Sequence, residues 1–148
     1  LLPGPEIETV AAQAQLFESY LVENDVSLPL SNGQGATVMV HGHCHQKAFA
    51  TESDTAAVLG QIPGLAVEPI ASTCCGMAGA FGYQSETYGT SMAVANLDLF
   101  PALDAAPDDA LVVADGTSCR CQIADGVKRK AEHVAVVLAR ALDANKLS

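Results

Sequence analysis

Ala36-Thr37-Val38-Met39-Val40-His41-Gly42-His43-Cys44 is a short β-branched apolar run that gives way, within three residues, to glycine, histidine and a thiol. Continuous apolar runs of this length suit a strand buried on both faces. The pattern returns twice. Leu65-Ala66-Val67-Glu68-Pro69-Ile70 leads to Cys74-Cys75-Gly76, and Ala110-Leu111-Val112-Val113-Ala114 leads through Asp115-Gly116-Thr117-Ser118 to Cys119. Helical periodicity fills the intervals. Ile7, Val10, Ala14, Phe17 and Leu21 predict one helix from Glu6 to Val26, and Thr51 caps a short one through about Gly60. Tyr88, Met92, Ala95 and Leu99 predict a third from Glu86 to Phe100, stopped by Pro101, and Val134, Val137, Leu138 and Ala141 a last one from Val127 to Leu142. The order α-β-α-β-α-β-α predicts an α/β fold: a small parallel sheet with flanking helices, Rossmann-like and three-layered, with right-handed crossovers. Each cysteine group then falls at the C-terminal edge of the strands, where open α/β sheets bind ligands. Residues 1–35 read as an N-terminal helix and linker, and residues 36–148 as a cysteine-rich domain.

The bulk properties allow this and narrow the partners. The 148 residues are 49% hydrophobic and 16% charged, enough for one ordinary core and unlike a disordered chain. Seven Lys+Arg against seventeen Asp+Glu give a net charge of -10, which argues against nucleic acid and anionic membrane surfaces. No apolar stretch is long enough to span a membrane, and five cysteines, an odd number, fit a reducing cytoplasm better than a secreted disulfide framework. The chain opens at Leu1 without Met and continues Pro3-Gly4-Pro5, which has the character of a linker and suggests a piece of a longer polypeptide.

The cysteines lie in polar or glycine-rich stretches, not in the apolar runs where a space-filling cysteine belongs. Adjacent cysteines make a poor disulfide with each other, because the Cβ atoms must face at about 3.8 Å. Cys74 and Cys75 therefore read as ligands to a metal or an iron–sulfur centre. Gly76, Gly79 and Gly82, at every third position, would let the backbone approach an inorganic group and aim N–H groups at its sulfurs. His41, His43 and His45 surround Cys44. Strand alternation would turn them away from it, so His41 and His43 read as structural or redox-tuning groups, with a ligand role for at most one of the three. His133 reads as a solvent-facing helix residue. Cys119 and Cys121, in an extended segment, would face the same side, with one of them ligating and Arg120 either balancing thiolate charge or standing as an exposed loop arginine.

His41-Gly42-His43-Cys44-His45-Gln46-Lys47, Cys74-Cys75-Gly76-Met77-Ala78-Gly79-Ala80-Phe81-Gly82 and Gly116-Thr117-Ser118-Cys119-Arg120 together resemble the cysteine-rich CCG domain family. That family includes heterodisulfide reductase, through its B subunit, the glycolate oxidase iron–sulfur protein and the iron–sulfur component of anaerobic glycerol-3-phosphate dehydrogenase. The phrases are most similar to the C-terminal part of bacterial FAD-linked oxidases acting on 2-hydroxy acids. The resemblance covers about Ala36 to Leu142. It implies that Cys44, Cys74, Cys75 and Cys119 match the family's metal positions, holding a [4Fe–4S] cluster or, alternatively, zinc. It further implies a flavin dehydrogenase domain, with FAD, elsewhere in the parent chain or complex, and an acceptor such as a quinone or a redox protein. The location implied is cytoplasmic, or peripheral at the inner membrane. Two departures stand out: Cys119-Arg120-Cys121 replaces the usual C-x-x-C, and one CCG is present where many members have two. Two rival readings remain open, a structural zinc module that docks domains and a thiol–disulfide redox domain using Cys74 or Cys75.

Overall fold

A computed structural model describes residues 4–143; Leu1 and Pro3 of the linker-like opening, and residues 144–148, lie outside them. The helices are α1 (Pro5–Gln13), α2 (Phe17–Glu23), α3 (Cys44–Ala48), α4 (Glu52–Leu59), α5 (Ser85–Ala95), α6 (Leu99–Ala105), α7 (Thr117–Val127) and α8 (Val134–Ala141). The strands β1 (Thr37–His41), β2 (Ala66–Pro69), β3 (Leu111–Ala114) and β4 (Ala131–Glu132) form one parallel sheet in the order β2-β1-β3-β4. This is the three-layer α/β arrangement expected from the alternating pattern.

Side-chain alternation builds a core on each face. Val38 and Val40 of β1 and Val113 of β3 pack with Leu59 of α4 and Val134 and Leu138 of α8. Met39, Val112 and Ala114 point the other way, against Leu99 and Leu103 of α6 and Ile123 of α7. The register Met39↔Val112 and His41↔Ala114 keeps these faces aligned between the two central strands. Each fully buried valine or leucine contributes about 1.5–3 kcal/mol. Leu21 of α2 and Leu30 join the first core, and Leu30 pairs with Leu142 across an antiparallel bridge. The period of two also fixes His41: it shares the face of Met39 and ends buried beneath the α5–α7 layer.

The winding order creates the crevice. From β1 the chain moves outward to β2, then returns past β1 to β3 and on to β4. The direction reverses between β1 and β3, and at such a switch point the loops leaving the strand ends diverge and open a cleft.

Several helix boundaries differ from the sequence expectation. The single helix predicted over Glu6 to Val26 is broken at residues 14–16. Its first half, α1, buries none of its side chains, so nothing in the fold holds the apolar period continuous. Residues 86–100 are not one helix stopped by Pro101, because α5 ends at Ala95 and Pro101 lies in the first turn of α6. There its missing N–H costs nothing. The predicted helix from Val127 to Leu142 divides as well. Lys128 adopts a left-handed conformation, φ 57°, that ends α7, and the two-residue β4 precedes α8. The segment carrying Cys119 and Cys121 is helical, not extended.

α7 packs so closely on α6 that a Cβ on Gly126 would stand 2.0 Å from Cζ of the buried Phe100 ring. Alanine is the better helix former by about 1 kcal/mol, but overpacking a core typically costs about 1–3 kcal/mol. Gly126→Ala is therefore expected to lower the melting temperature by a few degrees in thermal denaturation. Adding Phe100→Leu should remove most of that penalty, so the double variant will be more stable than the sum of the two single effects.

Candidate metal centre

Three strand ends supply the site. After β1, Gly42 brings the chain round to His43, the N-cap of α3, and Cys44 opens that helix. A capping box fixes the turn: His43 Nδ1 accepts from the His45 N–H at 3.3 Å, and Gln46 Oε1 accepts from the His43 N–H at 2.8 Å. Cys44 is thereby held outward and exposed.

Gln46 is also the hub of a buried network. Its Nε2 lies 2.6 Å from Glu18 Oε1 of α2, 2.9 Å from Thr55 Oγ1 of α4 and 2.8 Å from Asp115 Oδ2 after β3. Asp115 Oδ2 also accepts from Thr55 Oγ1 at 2.7 Å, and its Oδ1 from the Val134 N–H at 2.9 Å. The Cys44 turn and the loop before Cys119 are thus joined through side chains largely removed from solvent.

The loop after β2 is anchored from both sides. Lys47 Nζ donates to the carbonyls of Ser72 and Thr73, and the Thr73 N–H and hydroxyl donate to Asp98 Oδ2 at 3.2 and 3.0 Å. Gly76 has φ 87°, and a Cβ there would lie 2.1 Å from the Ser91 carbonyl oxygen, so only glycine fits behind the cysteine doublet. Its N–H donates to Cys74 Sγ at 3.2 Å. Gly79 also has a positive φ, 68°, but a Cβ there would meet open space.

At the third strand end, Gly116 precedes α7. A Cβ on Gly116 would come within 2.1 Å of His43 Cδ2 and 3.0 Å of Cys119 Sγ. The absence of a side chain lets the His43 ring and the Cys119 sulfur approach the same point. Arg120 donates to the carbonyls of Ala114 and Asp115 and to Thr117 Oγ1, which pins the strand-to-helix turn. These bonds place its guanidinium on backbone, not on thiolates as the charge argument anticipated.

The thiols converge in two groups. One ligand atom each of His41, Cys75 and Cys119 lies within 4.8 Å of the others, all buried. Cys44 Sγ and Cys74 Sγ are 3.8 Å apart. His41 Nδ1 bonds Ser72 Oγ at 2.7 Å, whereas its Nε2 is buried without a hydrogen-bond partner of ordinary geometry among the described residues. A buried nitrogen left open beside two sulfurs is a coordination-ready atom. Cys121 stands apart from this cluster. Residues two apart on a helix point about 200° from each other, so Cys119 turns inward and Cys121 remains half-exposed, beside the Tyr83 hydroxyl. The expectation that Cys119 and Cys121 share a side is corrected accordingly.

The electrostatics divide the thiols. The hydrogen bond between Cys119 and Cys75 pulls the Cys75 pKa well below the ordinary thiol value against the opposing effect of burial, with help from His41. The same bond, then burial, pushes Cys119 up. One proton on the pair is therefore favoured, with thiolate character on Cys75. Burial first, and then the contact with Cys74, raises Cys44. His43 is lowered, chiefly by burial and then by His45. Such a donor set can hold a metal: zinc bonded to sulfur at about 2.3 Å sets tetrahedral sulfur–sulfur edges of roughly 3.8 Å.

His133 is the half-buried N-cap of α8, not a solvent-facing helix residue; its Nδ1 accepts from the Ala135 N–H at 3.1 Å and lies 3.7 Å from Asp115 Oδ1. Sequence reasoning missed the supporting residues Ser72, Gln46, Lys47, Asp115 and Gly116. The signal available for two of them was position: Gln46 and Lys47 sit two and three residues after Cys44, where a capping box and a reach across to the next loop are both feasible.

No family model matches the chain, and no solved structure matches it. Two curated proteins of Escherichia coli (strain K12) do. The chain is 36% identical over 105 residues to the C subunit of anaerobic glycerol-3-phosphate dehydrogenase, an alignment covering 71% of this chain and 26% of that protein. It is 27% identical over 110 residues to D-2-hydroxyglutarate dehydrogenase, covering 73% of this chain and 11% of that protein. The chain thus spans about a quarter of one relative and a ninth of the other, and its similarity lies with portions of oxidoreductase proteins.

Proposed function

We propose that residues 36–148, preceded by the N-terminal segment 1–35, are an iron–sulfur electron-transfer domain serving a flavin-dependent 2-hydroxy-acid dehydrogenase, with Cys44, Cys74, Cys75 and Cys119 as ligands. The observation that carries this reading is that loops from three strand ends bring the thiols into two close groups, Cys75 and Cys119 beside His41, and Cys44 beside Cys74. Similarity to portions of two dehydrogenases supports the redox setting. When bound, an iron–sulfur cluster supplies one-electron chemistry, here between FAD in the remainder of the parent protein and an acceptor such as a quinone or a redox protein. The chain's own residues hold and tune. The Gly76 N–H donates to Cys74 sulfur, His41 stands beside Cys75 and Cys119, and Lys47 clasps the doublet loop to the helix bearing Cys44. Hydrogen bonds and charge next to thiolates shift reduction potentials. No helix among the described residues is long and apolar enough to cross a membrane, which suits a cytoplasmic or peripheral domain in this reading.

One observation favours a second reading. The buried set of His41, Cys75 and Cys119 spans no more than 4.8 Å, a size suited to a single zinc ion with one further sulfur.

Elemental analysis of anaerobically purified protein separates the two. Iron with acid-labile sulfide and visible absorption is expected, with the colour lost in Cys75→Ser and Cys119→Ser. Stoichiometric zinc without colour would establish the second reading, and a folded chain that takes up neither metal refutes both.

Lys47→Met is expected to lower metal retention against a competing chelator by roughly ten- to a hundredfold, the range common for groups that support ligands, with partial recovery in Lys47→Arg. Proton release gives a further measure. Cys44 and Cys119 have raised pKa values and are thiols in the metal-free protein near neutral pH, whereas Cys75 is already inclined to thiolate. Metal must expel the remaining protons, so affinity should rise with pH through the neutral and mildly alkaline range. Calorimetric titrations in buffers of different ionisation enthalpy will count the protons released.

A further inference from the structure

The five cysteines are not equivalent in their access to solvent. Cys75 and Cys119 are sealed, at 2% and 0% exposure, whereas Cys44 is exposed and Cys74 partly so. Cys121, also half-exposed, stands apart beside Tyr83; the Cys44 and Cys74 sulfurs are 3.8 Å apart, and a disulfide needs about 2.0 Å, so an approach of roughly 1.8 Å joins them. They belong to different segments, the start of α3 and the loop after β2, which Lys47 ties together through the carbonyls of Ser72 and Thr73.

We infer that Cys44 and Cys74 form a peroxide-sensitive dithiol that closes to a disulfide in the metal-free protein and so prevents metal loading. The pair alone carries the oxidation; only the consequence for metal rests on the reading given above.

The step balances with a hydroperoxide as the two-electron oxidant. Cys74 sulfur, which accepts the Gly76 N–H, bonds to the terminal peroxide oxygen as the O–O bond breaks, giving a sulfenic acid and releasing water or an alcohol. Cys44 sulfur then bonds to Cys74 sulfur, the S–O bond breaks, and a second water leaves with the remaining thiol proton. Two thiols are oxidised and one peroxide is reduced. The buried pair is spared because an oxidant cannot reach it without opening the core. Once joined, the two outer sulfurs have no thiolate to offer a metal.

The test uses the full 148-residue chain, reduced and freed of metal by chelation, and treated with stoichiometric hydrogen peroxide. Free thiols are then alkylated under denaturing conditions and peptides assigned by tandem mass spectrometry. A single cross-link between Cys44 and Cys74 is expected, two hydrogens lighter than the dithiol and reversed by dithiothreitol, with Cys75 and Cys119 recovered alkylated. Cys44→Ser should leave Cys74 as a sulfenic acid that dimedone traps. The oxidised chain should take up at least tenfold less iron or zinc, with uptake restored by reduction. A link joining Cys75 to Cys119, or no link at stoichiometric peroxide, overturns the inference. A chain that forms the expected link yet binds no metal when reduced overturns the metal reading and leaves the dithiol established.

Discussion

The site depends on a buried hydrogen-bond network centred on the Gln46 side-chain amide. Its Nε2 meets a carboxylate from α2, a hydroxyl from α4 and a second carboxylate at the end of β3, while its Oε1 holds the backbone of His43. Removing Glu18 and Asp115 from water is costly unless their lone pairs are satisfied. Here they are met by fixed donors, so the network tolerates little displacement. Because the same amide fixes the turn before Cys44 and the loop before Cys119, the separation of those thiols is set by the protein before any inorganic group arrives.

Close packing of glycines does the rest. Gly116 leaves room for the His43 ring against the start of α7, and Gly76 allows the cysteine doublet to rest on the Ser91 carbonyl, itself bonded by Gln122 at 3.1 Å. Neither position tolerates a Cβ without moving backbone or a packed ring. The two thiol environments follow. Cys75, drawn toward thiolate, and Cys119, pushed up, lie buried beside His41, whereas Cys44 and Cys74 are open to solvent.

Much of the architecture was legible because buried parallel strands are conspicuous: the apolar runs ending at His41, Ile70 and Ala114 mark the sheet, and the cysteines just beyond mark its ligand-binding edge. What was illegible has common physical causes. β4 has only two residues, Ala131 and Glu132, too few for any periodicity. The division of the first predicted helix reflects lack of packing partners for α1, a tertiary fact with no local signature. Pro101 reads as a stop, although proline suits the first turn of a helix equally well. At Cys119-Arg120-Cys121, alternation was the wrong period, and the helical one separates the two thiols. The role of His41 was partly accessible, since parity with Met39 fixes its face, but its pairing with Ser72 joins residues 31 positions apart.

The cysteine-bearing loops leave three different strands, and each is brought home by its own crossover helix. Parallel pairings of this kind close long stretches of chain and form late and slowly. The centre can therefore be complete only after every layer has docked, and a chain that stalls with α7 undocked would bring Cys44 and Cys74 together but lack the buried sulfur of Cys119. Burial of the Cys119 thiol would thus mark finished molecules apart from those still maturing.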